Sequence, residues 1–278
     1  MLKYRLTLRN DSQSAREKQE RRRADDRPDL RNIRYRHVVV GFAIVAILAL
    51  SIAACQPLEP ARFGRTAMGA PQDVVTVNED GVTDVNAESL ATALAPIAAG
   101  TLTSTEADGL IFMREEEKLA HDVYVALAAQ WDLPIFSNIS ASEMTHTDAV
   151  KTLLDRYNLD DPAAGNDVGV FADPTLQQLY TDLVAQGSQS LSDALIVGAT
   201  IEDLDIVDLQ TRIDQTDRPD IQLVYENLMK GSRNHLRAFT STLSRQTGET
   251  YVPQYLDQAA YDAIVNAEVE RGGRGRGR

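Results

Sequence analysis

Four long segments, in which apolar residues recur at alternating spacings of three and four, constrain the fold most strongly. This spacing places a continuous apolar stripe along one face of a helix. The segment TSTE at 103–106 is a capping-box pattern before the first stripe. The connection between the second and third segments is long and includes a short helix predicted after Pro174, whereas the other two connections are short. The pattern predicts an all-α domain, a four-helix bundle with one long crossover between helices 2 and 3 and a short C-terminal helix within 254–265. The four predicted helices lie near residues 104–131, 137–157, 189–213 and 219–245.

Polar side chains interrupt each stripe near its midpoint. Glu117 stands on the first stripe, Glu143 and His146 on the second, and Ser232 and His235 on the fourth. An unpaired carboxylate in a dry core destabilises a fold by several kcal/mol, and clustered carboxylates also repel one another. A bound divalent cation would compensate all of them at once.

The third helix is ambiguous. One stripe carries Glu202 and Asp205 at its centre, but a more apolar stripe leaves both at the edge of the core; it runs through Ala194, Val197, Ile201 and Leu204. Asp203 and Asp208 add to an acidic run that also suits a solvated face.

The spacing of the polar residues predicts a metal site. The sequence EMTH at 143–146 is Glu-x-x-His, which places both side chains on one helix face a turn apart. Bundles that bind two iron or manganese ions use four carboxylates and two imidazoles from four helices. The same set is present here, and its oxygen-rich composition favours iron or manganese. The predicted ligands are Glu117, Glu143, His146, Glu202, Asp205 and His235.

Competing interpretations assign these residues no metal. His235 fits a buried neutral imidazole, and Glu143 with His146 fits a solvated pair at a helix edge. The other charged residues of the run MREEEK are predicted to lie at the surface; these are Glu115, Glu116 and Lys118.

Charge is distributed unevenly along the chain. Residues 1–55 contain 12 basic and 6 acidic residues, a net charge of +6, whereas the remainder contains 16 basic and 35 acidic residues, a net charge of −19. An acidic body of this kind repels phosphate backbones, which argues against a nucleic-acid partner.

The basic N-terminal region precedes an apolar run at 38–55 that ends in SIAAC. This ending resembles the bacterial lipobox, which implies lipidation at Cys55, the only cysteine of the chain. The alternative is an uncleaved membrane anchor. Both interpretations predict a protein anchored in the cell envelope with its body outside the cytoplasm. The predicted organisation is a leader and signal at 1–54, a flexible tether at 55–100, the helical domain at 101–266 and a basic disordered tail at 267–278.

Four sequence segments together resemble the DUF2202 family of the ferritin-like superfamily, which also contains the rubrerythrins. They are EEEKLAHDVY, SEMTH, IEDLDIVDL and GSRNHLRAF. The resemblance covers about residues 103–265 and implies a ferritin-like bundle with a carboxylate-bridged pair of metal ions. Tyr124, seven residues after Glu117, resembles the first-helix tyrosine of ferritin-type ferroxidase centres, which implies a catalytic role. One departure is Ser232, where rubrerythrin-like proteins have a second Glu-x-x-His glutamate. If Asp205 does not replace it, a mononuclear site is the alternative.

These observations lead us to expect an envelope-anchored, non-haem di-iron or di-manganese oxidoreductase that acts on Fe(II), O2 or peroxide. The chain has no rubredoxin-like cysteine cluster, so an external electron donor is expected. The alternative is a non-enzymatic metal-binding or structural envelope protein. A homo-oligomer is compatible with the sequence but not specified by it.

Overall fold

A computed structural model describes residues 74–78 and 82–271 of the chain. These residues are mostly helical with one small sheet. No helix in these two ranges is long and apolar enough to cross a membrane. The predicted signal at 38–55, with Cys55, lies outside the described residues. The elements are β1 Val75–Val77, β2 Thr83–Val85, α1 Ala87–Leu94, α2 Ser104–Gln130, α3 Pro134–Tyr157, α4 Pro174–Gly187, α5 Leu191–Asp214, α6 Pro219–Thr247 and α7 Gln258–Val265.

Local chemistry fixes the ends of the long helices. At the start of α2 the Thr103 side chain accepts a hydrogen bond from the Glu106 amide, and the Glu106 carboxylate accepts one from the Thr103 amide, which completes the predicted capping box. Helix α3 ends at Asn158 and α6 at Gly248, both in the left-handed region with φ of 53° and 77°. The four predicted long helices are therefore confirmed, as are the short helix after Pro174 and the C-terminal helix.

The long helices pack as two pairs of helices that are neighbours along the chain, α2 with α3 and α5 with α6. The pairs meet through α2–α5 and α3–α6 contacts. Buried apolar residues form two clusters, one containing Leu127, Phe136 and Phe239, the other containing Leu110 and Val150. The polar interruptions lie between these clusters along α2, α3 and α6. The interior therefore has a polar layer between two apolar regions.

Helix α5 shows why its stripe was ambiguous. Both candidate stripes are buried, since Ala194, Val197 and Ile201 are as inaccessible as Glu202 and Asp205. The helix contacts α4 as well as α2 and α6, so it has no single inward face.

Residues 55–100 were predicted to be a flexible tether. This prediction is wrong for the described residues within 75–94, which contain two strands and a helix. Strands β1 and β2 pair antiparallel with Val75 opposite Val85, and β2 contacts both α3 and α6. Helix α1 begins at Asn86, whose side chain accepts from the Ser89 amide, and buries Leu90 and Leu94. Strands of three residues leave too short an alternation to detect in a sequence.

The C-terminal region also differs from expectation. Residues 267–278 were predicted to be disordered, yet the Glu270 carboxylate pairs with Arg233 at 2.6 Å and with Arg237 at 3.0 Å. Residues 272–278 lie outside the described range.

The packing of α1 generates a stability prediction. Leu90 is 1% exposed within the core, so we expect Leu90→Ala to lower the free energy of unfolding by about 2–5 kcal/mol, from lost apolar contact and a residual cavity. Chemical denaturation of the full-length protein measures this. Val252→Ala, at a site that is 63% exposed, serves as the matched control and should change little. Equal effects of the two substitutions would show that α1 does not belong to the core.

Candidate metal centre

Five of the six predicted ligands converge in the polar layer. Glu117, Glu143 and His146 form one group, and Glu143, Glu202 and His235 form a second; within each group one ligand atom per residue lies within 4.8 Å of the others. All five residues are buried. The groups draw on α2 and α3 in one case and on α3, α5 and α6 in the other. The inward orientation of Glu117, Glu143 and His235 is thus confirmed.

Glu143 lies at the centre of this arrangement. Its Oε2 is 2.8 Å from His146 Nδ1, and its Oε1 is 2.7 Å from His235 Nδ1. Each histidine has a second carboxylate nearby: Glu117 Oε2 is 3.5 Å from His146 Nδ1, and Glu202 Oε2 is 3.6 Å from His235 Nδ1. The two imidazole rings stack with centroids 5.5 Å apart. One carboxylate thus faces two similar half-sites, each with one imidazole and one further carboxylate.

The outer nitrogens of both histidines are held by β2. His146 Nε2 lies 2.9 Å from the Thr83 carbonyl oxygen, which can only accept, so this nitrogen carries a proton. Ser142 donates its hydroxyl to the same carbonyl at 2.6 Å, and its oxygen lies 3.1 Å from His235 Nε2. The Thr83 amide donates to that nitrogen at 3.4 Å. The arrangement directs both Nδ1 atoms towards the carboxylates. Outer hydrogen bonds of this kind orient metal-binding histidines.

Sequence reasoning missed these supporting residues. Thr83 was assigned to the tether, and Asn234, which donates to Thr83 Oγ1 at 2.8 Å, was passed over. The only signal was position, because Ser142 and Asn234 immediately precede Glu143 and His235 in the two motifs. Gly231 was also missed. A Cβ at this position would lie 2.3 Å from His146 Cε1, so the close approach of α6 requires glycine.

Burial and mutual charge set the protonation of the centre. Burial alone would lower the pKa of His235, but the carboxylates of Glu143 and Glu202 outweigh it and raise that pKa to about 9. Burial likewise opposes charge on His146, yet Glu143 and Glu117 raise its pKa well above the usual range. Burial and the charge of Glu143 raise the pKa of Glu202 to about 7. Without a cation, protons therefore balance the charge of this layer.

Several donor atoms of this layer have no hydrogen-bond partner, so their chemistry is compatible with a metal ion. Both Nδ1 atoms and one oxygen each of Glu117 and Glu143 are buried without a partner in hydrogen-bonding geometry, although the Glu143 contacts are short. Buried polar atoms in native proteins almost always have partners. Ligands about 2.1 Å from a common ion stand about 3 Å apart, which matches the observed separations. Protons neutralise these groups, but a cation would also give the unpartnered atoms a bond.

Asp205 is the predicted ligand that joins neither group. It is buried and its Oδ2 accepts a hydrogen bond from Ser232, while its Oδ1 has no partner. Burial and the nearby charge of Glu117 raise its pKa well above the usual range. The residue therefore contacts Ser232 of α6 and joins neither group of the centre.

Tyr124 lies beside the second group. Its hydroxyl donates to Glu202 Oε1 at 2.6 Å and is 3.2 Å from the Gly198 carbonyl oxygen. Burial and the charge of Glu202 raise its pKa well above the usual range, so it remains a protonated donor. This contact places Tyr124 beside Glu202.

The surface assignment of Glu115, Glu116 and Lys118 is wrong, since all three are buried. The long connection after α3 folds over this part of α2. Glu115 accepts from the amides of Ala172 and Asp173 at 2.6 and 2.8 Å, and Lys118 donates to the Asp167 carbonyl. A buried helix of this kind does not follow a two-faced pattern.

Asp203 has a structural role as well. It is buried and accepts hydrogen bonds from the Tyr251 hydroxyl and the Leu256 amide, both at 2.8 Å. It therefore fixes the segment before α7 to α5, and does not belong to a solvated acidic face.

Comparisons with known proteins identify the family of this chain. The family model described as an uncharacterized protein domain, DUF2202, matches residues 106–268. The chain belongs to the DUF2202 family. The chain is similar to the uncharacterized protein MJ0754 of Methanocaldococcus jannaschii, with 54% identity over 171 residues. The aligned region covers 62% of this chain and 92% of that protein. A crystal structure of hypothetical protein MJ0754 from the same organism, named there Methanococcus jannaschii, superposes with a TM-score of 0.61 at 52% identity, covering 63% of this chain and 99% of the other.

The protonation of this DUF2202 centre predicts how metal-free stability depends on pH. The pKa of His235 rises from 6.5 to about 9 on folding, so its stabilising contribution is complete below pH 6.5 and is lost as pH rises towards 9. The pKa of Glu202 rises from 4.5 to about 7, so ionisation of this residue destabilises the fold across that interval. Both effects have the same sign. We expect the Tm of the metal-free protein to fall by several degrees between about pH 5 and pH 9.

Calorimetry of chelator-treated full-length protein across this pH range measures the effect. Added Mn(II) should reduce the fall, since neutral imidazoles and carboxylates then bind a cation in place of protons. A metal-free Tm that is constant or rises with pH would contradict the assignment of protons to the centre.

Proposed function

We propose that the four long helices form a ferritin-like bundle whose polar layer binds two iron or manganese ions. Glu117, Glu143 and His146 would hold one ion, and Glu143, Glu202 and His235 the other, with Glu143 between them. The observation that carries this proposal is the pair of buried Nδ1 atoms, each directed at a Glu143 oxygen without hydrogen-bonding geometry. Because Asp205 joins neither group, a single ion is the alternative occupancy.

According to this proposal, the protein is an oxidoreductase that acts on Fe(II), O2 or peroxide. Bound iron or manganese ions would supply the change of oxidation state that this chemistry requires. Thr83 and Ser142 hold the imidazoles in the ligating orientation, and Tyr124 holds Glu202. The two apolar clusters on either side exclude water, which strengthens every charge interaction in the layer.

Location follows from the sequence alone. The basic leader, the apolar run at 38–55 and the lipobox-like ending at Cys55 support a membrane-anchored lipoprotein of the cell envelope. With a single cysteine the chain cannot form a rubredoxin-like cluster, so the electron donor would be another protein or a small reductant.

A non-enzymatic metal-binding protein is the second candidate. The replacement of a ligand glutamate by Ser232, with Asp205 hydrogen-bonded to that serine, favours it, because it removes a carboxylate from one side of the centre. Such a protein would bind the same ions without turning over a substrate.

Metal analysis tests the shared part of both candidates. Full-length protein produced with iron and manganese supplied should contain up to two ions per chain. Glu143→Ala should remove most of both, because Glu143 belongs to both groups, whereas Glu117→Ala should remove mainly one. Glu226→Gln, an exposed change on α6, is the control for loss of one carboxylate. Metal content near zero in the wild type would contradict both candidates.

A conservative change at Tyr124 separates the two candidates. Tyr124→Phe removes the hydrogen bond to Glu202 but no ligand, so metal content should be retained while aerobic Fe(II) oxidation slows by about 10–100-fold. Tyr180→Phe, which lies against Phe171 and away from the centre, is the control. Absorbance assays under air and under argon give the rates. Equal loss of Fe(II) with and without O2 would rule out the oxidase, and the non-enzymatic candidate would remain.

A further inference from the structure

Glu116 has no role in the centre described above. It is 4% exposed, and neither of its carboxylate oxygens has a hydrogen-bond partner. The basic residues nearest in sequence are engaged elsewhere, Arg114 with Asp161 at 3.0 Å and Lys118 with Asp122. A carboxylate left in this state strongly destabilises a fold unless a proton or a cation compensates it.

The groups that face Glu116 are also acidic. The charge of Asp208 acts most strongly on Glu116, and that of Asp205 is second. Asp205 and Asp208 are three residues apart on α5, so they share one helix face, which is turned here towards α2. The Oδ1 of Asp205 is likewise buried and unpartnered. Burial and the neighbouring charges raise the pKa of Glu116 well above the usual range.

These carboxyls are electrostatic neighbours of one another and of the residues of the centre. Asp208 is half-buried. The charges of Asp208 and Glu116 both contribute to raising the pKa of the exposed Tyr255. At the inner end, Asp205 lies beside Glu117 and Glu202, which belong to the two ligand groups. Glu116 therefore interacts both with the half-buried Asp208 and with Asp205 and Glu117 at the centre.

We propose that Glu116, Asp205 and Asp208 form an outer cation-binding station through which divalent metal ions pass from solvent to the centre. The proposal rests on the proposed metal centre. Carboxylate oxygens without imidazole suit hydrated divalent cations such as Fe(II) and Mn(II), and they bind them more weakly than the inner groups that include histidine. Weak binding is what a transit site requires. The competing account is a shared proton that keeps the Glu116–Asp208 pair neutral, with no function in metal uptake.

The rate of metal uptake distinguishes these accounts. Metal-free full-length protein is mixed with Co(II) in a stopped-flow instrument, and the visible absorption of the bound ion reports occupancy of the centre. We expect Glu116→Gln and Asp208→Asn each to slow uptake by about 10-fold or more, because focused negative charge raises cation on-rates by factors of 10 to 1,000. Final occupancy should be unchanged, and the wild-type rate should fall more steeply with ionic strength than the variant rates. Glu226→Gln is the control and should load at the wild-type rate.

Each outcome decides a separate point. Uptake at the wild-type rate in both variants would overturn the station and leave the centre intact, and so would a loss of final occupancy with an unchanged rate. Absence of bound cobalt in the wild type would overturn the centre and the station together. Asp208 is half-buried, so Asp208→Asn keeps the experiment decisive if Glu116→Gln does not fold, as judged by circular dichroism.

Discussion

The contact of one carboxylate with two imidazoles is the interaction on which the rest of this structure depends. Glu143 places one oxygen near each Nδ1 atom, and the Thr83 carbonyl oxygen, with Ser142, holds the opposite edges of the rings. In a buried layer these groups tolerate one another only if protons or cations balance their charges. The fold accordingly surrounds them with rigid packing: α6 approaches closely at Gly231, and apolar clusters lie above and below.

The role of the β1–β2 hairpin changes how the domain is delimited. The family match begins at residue 106, but the Thr83 carbonyl oxygen that holds His146 comes from a strand more than twenty residues earlier. A domain defined by its four long helices alone would leave the Nε2 atom of His146 without this acceptor. The hairpin therefore belongs to the functional unit, and experiments on the centre need it.

Much of the centre could be predicted because helical periodicity is local. Glu117, Glu143, His146 and His235 interrupt apolar stripes, and a regular helix converts that pattern directly into orientation. The hairpin could not be predicted in this way, since three-residue strands carry almost no pattern and their contacts are distant in sequence. Burial of Glu115 and Glu116 also depends on distant chain: the crossover that covers α2 lies some fifty residues further on. Asp205 remained ambiguous because α5 is buried on more than one face.

The asymmetry of the centre and the proposed station have a common physical origin. Where a glutamate on α6 would extend into the layer, Ser232 is too short to reach it and instead donates to Asp205 on α5. Asp205 joins neither group, its Oδ1 has no partner, and its charge acts on Glu116. A glutamate at 232 would add a ligand and compete for the space that Asp205 occupies.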